Sequence, residues 1–75
     1  MIPENEQEIL IKRLGKRIRE LRHEKGISQR ELALECEFEK SNVSRLEAGR
    51  VNPTYLTLCK VAQALKIEVV EIFKF

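Results

Sequence analysis

Apolar residues recur at helical spacing along the first third of the chain. Leu10, Leu14, Ile18 and Leu21 fall every three or four residues, with Ile11 beside them, which predicts one long helix with a buried stripe. Asn5 is placed to cap its start, with Glu8 three residues on as a capping-box partner, so the helix is expected from about Glu6. Acidic residues early and basic residues late suit the helix dipole. Gly26 can take positive φ, so the helix is expected to end near Lys25. Ser28 and Glu31 then form an S-x-x-E box opening a short second helix that turns Leu32, Ala33 and Cys36 inward and ends near Cys36.

The next segment, Lys40 to Glu47, has a different pattern. Its only apolar residues are Val43 and Leu46, so a helix here has a narrow buried stripe and a broad polar side. Gly49 ends it. A loop from Arg50 to Pro53 leads to Thr54, an N-cap for a fourth helix of about Tyr55 to Leu65 with Leu58, Val61, Ala62 and Leu65 at core spacing. A short fifth helix is expected over Val69 to Phe73. Nothing reads as a β-hairpin, an internal repeat or a low-complexity stretch. The pattern predicts an all-α domain of five helices over residues 6–75, preceded by a tail of residues 1–5.

Length and composition narrow the chemistry. Seventy-five residues make one domain with a small core, and 43 % hydrophobic with 35 % charged residues fits a folded chain. Cys36 and Cys59 lack metal-ligand spacing and read as reduced thiols that pack as small apolar groups. His23 is the only histidine, so neither a His-rich metal site nor a Ser-His-Asp triad can be built; it is expected exposed near a helix end. No carboxylate pair, nucleophile–base set or glycine-rich phosphate loop is visible, so neither catalysis nor a cofactor or metal is expected. No apolar run approaches the roughly 18 residues of a membrane span. The residues Met1 to Asn5 lack the basic and apolar regions of a signal peptide, and a cytoplasmic protein is expected. Net charge is only +2, but its distribution is sided. Lys12, Arg13, Lys16, Arg17, Arg19, Arg22 and Lys25 crowd the first helix, whereas Glu31, Glu35, Glu37 and Glu39 crowd the second helix and the turn after it. Such sidedness matters for approach to a polyanion.

Two short helices joined by about three to four residues, the second polar outside, make a helix-turn-helix unit. A helix that probes the DNA major groove must present hydrogen-bonding side chains outward and be anchored by a few apolar residues inward. Residues 28–36 and 40–47 meet that description. The runs Gly26-Ile27-Ser28-Gln29-Arg30-Glu31-Leu32-Ala33, Val43-Ser44-Arg45-Leu46-Glu47-Ala48-Gly49, Pro53-Thr54 and Leu56-Thr57-Leu58-Cys59-Lys60-Val61-Ala62-Gln63-Ala64-Leu65 resemble the Cro and phage-repressor family of regulators, over about residues 9–73. The resemblance implies a five-helix, lambda-repressor-like domain, binding to a double-stranded DNA operator, a repressor role and a two-fold dimer. The chain departs from the family pattern at Glu37, where Gly is usual, at Glu39, where Ser or Thr often caps the third helix, and at Lys66 and Glu68. If Glu37 takes a left-handed conformation, that costs about 1–2 kcal/mol.

The resemblance also implies roles. Lys40, Ser41, Ser44 and Arg45 are the candidate base contacts. Arg45 is suited to fork onto guanine O6 and N7, which is worth about 1–3 kcal/mol of discrimination. Asn42 is expected to face the DNA backbone or solvent. Gln29, Arg50, Asn52, Thr54 and Tyr55 are candidate phosphate contacts. Lys12, Lys16 and Arg17 either add long-range attraction or form a solvated helix face. Arg22 and Glu47 are expected to pair and lock the third helix to the first; the alternative is Arg22 on a phosphate with Glu47 solvated. The apolar end of the chain, Val69, Ile72, Phe73 and Phe75, with Cys59 as a candidate neighbour in space, reads as a homodimer surface or as a lid on the core. One competing function is an antitoxin-type module that binds a protein partner and also autoregulates its operon. An RNA-binding role lacks the aromatic stacking platform usual for single strands.

Overall fold

The computed structural model describes residues 1–75. Four α-helices carry the chain, α1 (Glu4–Glu24), α2 (Gln29–Cys36), α3 (Lys40–Glu47) and α4 (Tyr55–Leu65), followed by a 3-10 helix (Val69–Phe73). The expected fifth helix is therefore a tight 3-10 turn of five residues. There are no strands. No helix is long and apolar enough to cross a membrane.

The core gathers one side of every element: Ile18 and Leu21 from α1, Leu32, Ala33 and Cys36 from α2, Val43 and Leu46 from α3, Leu58, Val61, Ala62 and Leu65 from α4, and Ile72. Burial of these side chains, each worth about 1.5–3 kcal/mol for the larger ones, is the main force holding so short a chain together. Helix α2 packs between α3 and α4, while α1 lies against α3 and the 3-10 helix. Arg17 fixes the last of these contacts by donating from Nε to the Glu71 carbonyl at 3.0 Å.

Start signals behaved differently from helix to helix. Ser28 and Glu31 form the expected reciprocal box, with Glu31 N–H on Ser28 Oγ at 3.0 Å and Ser28 N–H on Glu31 Oε1 at 3.2 Å. Thr54 Oγ1 accepts from Thr57 N–H, as its position predicts. Helix α1 instead starts at Glu4 with Pro3 at the cap and no side-chain cap bond, so Asn5 is inside the helix and the tail is residues 1–3. Proline pre-sets the entry angle, and the Pro3 carbonyl accepts from both Glu6 and Gln7 N–H at 3.0 Å. The predicted stripe is also shorter than expected: Leu10 is 42 % exposed and Ile11 and Leu14 are half-buried, because α1 runs past the rest of the molecule at its first turns.

All four α-helices end with one device. The residue after the last turn is left-handed: Gly26 (φ 69°), Glu37 (58°), Gly49 (72°) and Lys66 (57°). The next residue donates back across the turn, Ile27 to the Arg22 carbonyl (3.3 Å), Phe38 to Ala33 (2.8 Å), Arg50 to Arg45 (2.9 Å) and Ile67 to Ala62 (3.0 Å). Ile27, Phe38 and Ile67 pack on the core, completing the Schellman pattern. Two of these turns use glycine and two do not. Glu37 and Lys66 bear the Cβ penalty that glycine escapes.

Candidate nucleic-acid interface

Helix α3 is two-sided, as its composition dictates. Val43, Leu46 and Glu47 are buried, while Lys40, Ser41, Asn42, Ser44 and Arg45 are exposed. Ser41, Ser44 and Arg45 lie on one side of the helix by their spacing, with Lys40 in the first turn.

The inward side is held by a polar cluster at the end of the helix. Arg22 grips the Glu47 carboxylate with two prongs, Nε to Oε2 at 2.6 Å and Nη2 to Oε1 at 3.0 Å, and its Nη1 donates to the Ile27 carbonyl at 2.8 Å. Gln29 adds a bond from Nε2 to Glu47 Oε1 at 3.0 Å. Four points of the chain thus meet on one carboxylate and one guanidinium: late α1, the α1–α2 turn, the start of α2 and the end of α3. Every buried side-chain polar atom has a partner. Gln29, a candidate phosphate contact, is therefore half-buried in this cluster, with one N–H of its amide used on Glu47.

Two glycines complete the anchorage, and neither was recognised for this role in the sequence. A Cβ on Gly15 would fall 2.6 Å from the Glu47 carbonyl oxygen and closer still to that of Leu46. A Cβ on Gly49 would fall 2.7 Å from Lys12 Cα. Helix α1 therefore rests almost backbone to backbone on the end of α3. The only sequence signal was a glycine in the middle of a helix, which costs about 1 kcal/mol and asks for a reason.

The start of α3 is held far less. Glu39 stands at the N-cap position and makes no side-chain cap bond, and the turn before it is the strained Glu37.

The outward side joins α3 to the following loop. A cleft of ≈ 290 Å³ lies between them, with Asn42 and Arg45 on one wall and Asn52 and Thr54 on the other. Arg45 Nη2 donates to Asn42 Oδ1, a contact the sequence did not suggest. Arg50 and Asn52 are exposed and line a second groove with Lys12 of α1. Lys16 does not line that groove. Arg17 donates to the Glu71 carbonyl, so its guanidinium also fastens the fold. Thr54 Oγ1 serves as the α4 cap and shares a bond with Thr57 Oγ1 at 3.0 Å. Cys59, one turn along the same helix, holds the hydroxyl of the exposed Tyr55 above its ordinary pKa by acting as acceptor for the phenolic proton. His23 is exposed in the last turn of α1. Cys36 and Cys59 are free thiols, and burial pushes the Cys36 thiol up, which keeps it neutral.

The apolar end of the chain divides in two. Ile72 is 0 % exposed and belongs to the core, and Val69 packs half-buried beside it. Ile72 therefore cannot form a docking surface without unpacking the monomer. Phe73 and Phe75 remain 46 % and 51 % exposed, joined by Val70 at 54 %, which the sequence pattern did not single out. Arg13 lies 5.1 Å over the Phe75 ring and covers part of it.

Known proteins with this pattern were found at each level of comparison. Residues 13–72 match the family described as the helix-turn-helix domain. An uncharacterised HTH-type transcriptional regulator, y4dJ of Sinorhizobium fredii, is 43 % identical over 61 residues, covering 81 % of this chain and 79 % of that protein. The HTH-type transcriptional regulator SlrR of Bacillus subtilis is 39 % identical over 61 residues, covering 80 % of this chain but only 40 % of SlrR. Among solved structures, the restriction-modification controller protein C.AhdI of Aeromonas hydrophila superposes with a TM-score of 0.85 at 38 % identity, covering 88 % of this chain and 96 % of that one. The clp gene regulator ClgR of C. glutamicum gives 0.82 at 33 % identity, covering 85 % and 83 %. With its paired short helices, its anchored α3 and this match over most of its length, the chain belongs to the helix-turn-helix domain family.

Proposed function

We propose that this protein is a sequence-specific, double-stranded DNA-binding transcriptional regulator of the Cro and phage-repressor type, acting as a repressor and as a homodimer. The observation that carries the reading is the two-sidedness of α3. Its end is fixed by the Arg22–Glu47–Gln29 cluster, while Lys40, Ser41, Ser44 and Arg45 project from it unburied. A helix held this way can keep side chains in register with base edges in the major groove. Arg50, Asn52 and Lys12, with the amides that open α2 and α4, supply donors for phosphates on either side. Names of the relatives support regulation of transcription as the setting.

The homodimer is proposed through Val70, Phe73 and Phe75, with Val69 at the margin. One unit reads few base pairs, and two copies related by a two-fold axis would place their α3 helices about 34–36 Å apart on one side of the duplex. The regulator is proposed to work in the cytoplasm, without metal or cofactor.

Selection of binding sites from random duplex DNA at fixed salt tests the reading. An enriched, two-fold symmetric site is the expected result. Enrichment of no sequence would refute it. Sedimentation of the native protein and of Phe73→Ala tests the dimer, the variant being expected to shift toward monomer.

A further inference from the structure

We propose that Asn42 is a positioning residue for base recognition, holding the Arg45 guanidinium in its reading pose before DNA arrives. The proposal rests on the DNA-binding reading above. Arg45 is exposed, yet its Nη2 is bonded to Asn42 Oδ1, one turn back on the same helix. None of the ion pairs in the molecule involves Arg45, so Asn42 is its sole side-chain hydrogen-bond partner. Both residues line the cleft between α3 and the loop that carries Asn52 and Thr54. Arg45 thus stands at the edge shared by the Ser41–Ser44 side of the helix and the cleft side, and Asn42 decides which way it leans.

The chemistry favours positioning over simple occupation. A guanidinium has five N–H donors in a planar fork, and one bond to an amide carbonyl leaves four. The fork can still present two parallel donors to guanine O6 and N7 while Asn42 holds its other edge. The Asn42 carbonyl is used on Arg45, while its amide N–H groups have no hydrogen-bond partner in the molecule and stay available to a phosphate or a neighbouring base acceptor. An exposed arginine otherwise samples many rotamers, and ordering one on binding weakens discrimination by about three- to tenfold. A neutral acceptor performs this ordering without the charge repulsion that a carboxylate would bring near a phosphate.

The test compares wild type, Asn42→Ala, Asn42→Asp, Arg45→Ala and the double alanine variant. Site selection and equilibrium binding are read at several salt concentrations. Asn42→Ala is expected to lower base preference about three- to tenfold at the position that Arg45→Ala erases, with melting and salt slope unchanged. In the Arg45→Ala background it should cost no further preference. Asn42→Asp keeps the acceptor and is expected to retain the preference while weakening binding to every sequence. Equal weakening of all sequences by Asn42→Ala would make Asn42 a phosphate contact and overturn the proposal. So would additive losses in the double variant, or a base preference unchanged in Asn42→Ala. If wild type itself selects no sequence, the DNA-reading assignment falls and this proposal falls with it, a result separable from failure of Asn42 alone.

Discussion

The two ends of α3 are built differently. At its end, a buried carboxylate takes three charge-assisted or amide bonds, and two glycines, one of which also closes the helix, let α1 press against the backbone. At its start, a glutamate occupies the cap position without capping, and a glutamate bears the left-handed turn. Eight residues therefore separate an end that is over-determined from one that is under-determined. A short helix needs one firm attachment to keep its outward side chains in register, and here the C-terminal end supplies it. The start is left with stability to gain.

The contrast is most easily broken at the firm end. Glu47→Ala leaves Arg22 buried without its carboxylate and is expected to cost about 3–5 kcal/mol. Arg22→Ala should cost a similar amount, and the double variant much less than the sum. Chemical denaturation of the three reads the coupling, and additive losses would mean the pair does not hold α3. Gly15→Ala comes next. Its methyl must displace the Leu46 and Glu47 carbonyls, so a loss of about 1–3 kcal/mol is expected although alanine is the better helix former. A gain in that melt would show that α1 can back away from α3 freely.

The loose end predicts changes of the opposite sign. Glu37→Gly removes a Cβ from a residue at φ 58° and should stabilise by about 1 kcal/mol, or about 4–8 °C in melting temperature. Lys66→Gly, at φ 57° after α4, is a control that should gain alike without touching α3. Smallest is Glu39→Ser, which offers α3 a side-chain cap and should add about 0.5 kcal/mol. No gain in either α3 variant would mean that its start is better supported than its geometry indicates.

What the sequence could and could not disclose follows the same physics. Helices α2, α3 and α4 were legible residue by residue, because their limits are chemical: Ser28 with Glu31, Thr54, and glycine after α3. The start of α1 was misplaced because Asn5 is a good cap in isolation, whereas Pro3 sets the chain into the helix earlier. Ile72 was left between a dimer surface and a core lid because an apolar chain end looks the same whether it covers a core or a partner, and burial places it in the core. Gly15 was passed over because its reason is a backbone of another helix, 31 or more residues on in the chain. Asn42 was expected to face the DNA backbone or solvent, and its bond to Arg45 went unseen because helical spacing alone does not tell which of two polar neighbours an arginine will choose. Resemblance suggested the Arg22–Glu47 pair and a phosphate contact for Gln29, and the structure adds that Gln29 donates to the same Glu47 carboxylate as Arg22.

The central claim is that α3 reads bases while its neighbours hold phosphates. Binding of Arg45→Ala and wild type, to the selected operator and to an unrelated duplex over a range of salt, tests it most directly. The account predicts that the variant loses the difference between the two duplexes, keeps its affinity for the unrelated one and keeps the wild-type salt slope. Equal weakening on both duplexes, with a slope reduced by about one, would place Arg45 on a phosphate and contradict the claim.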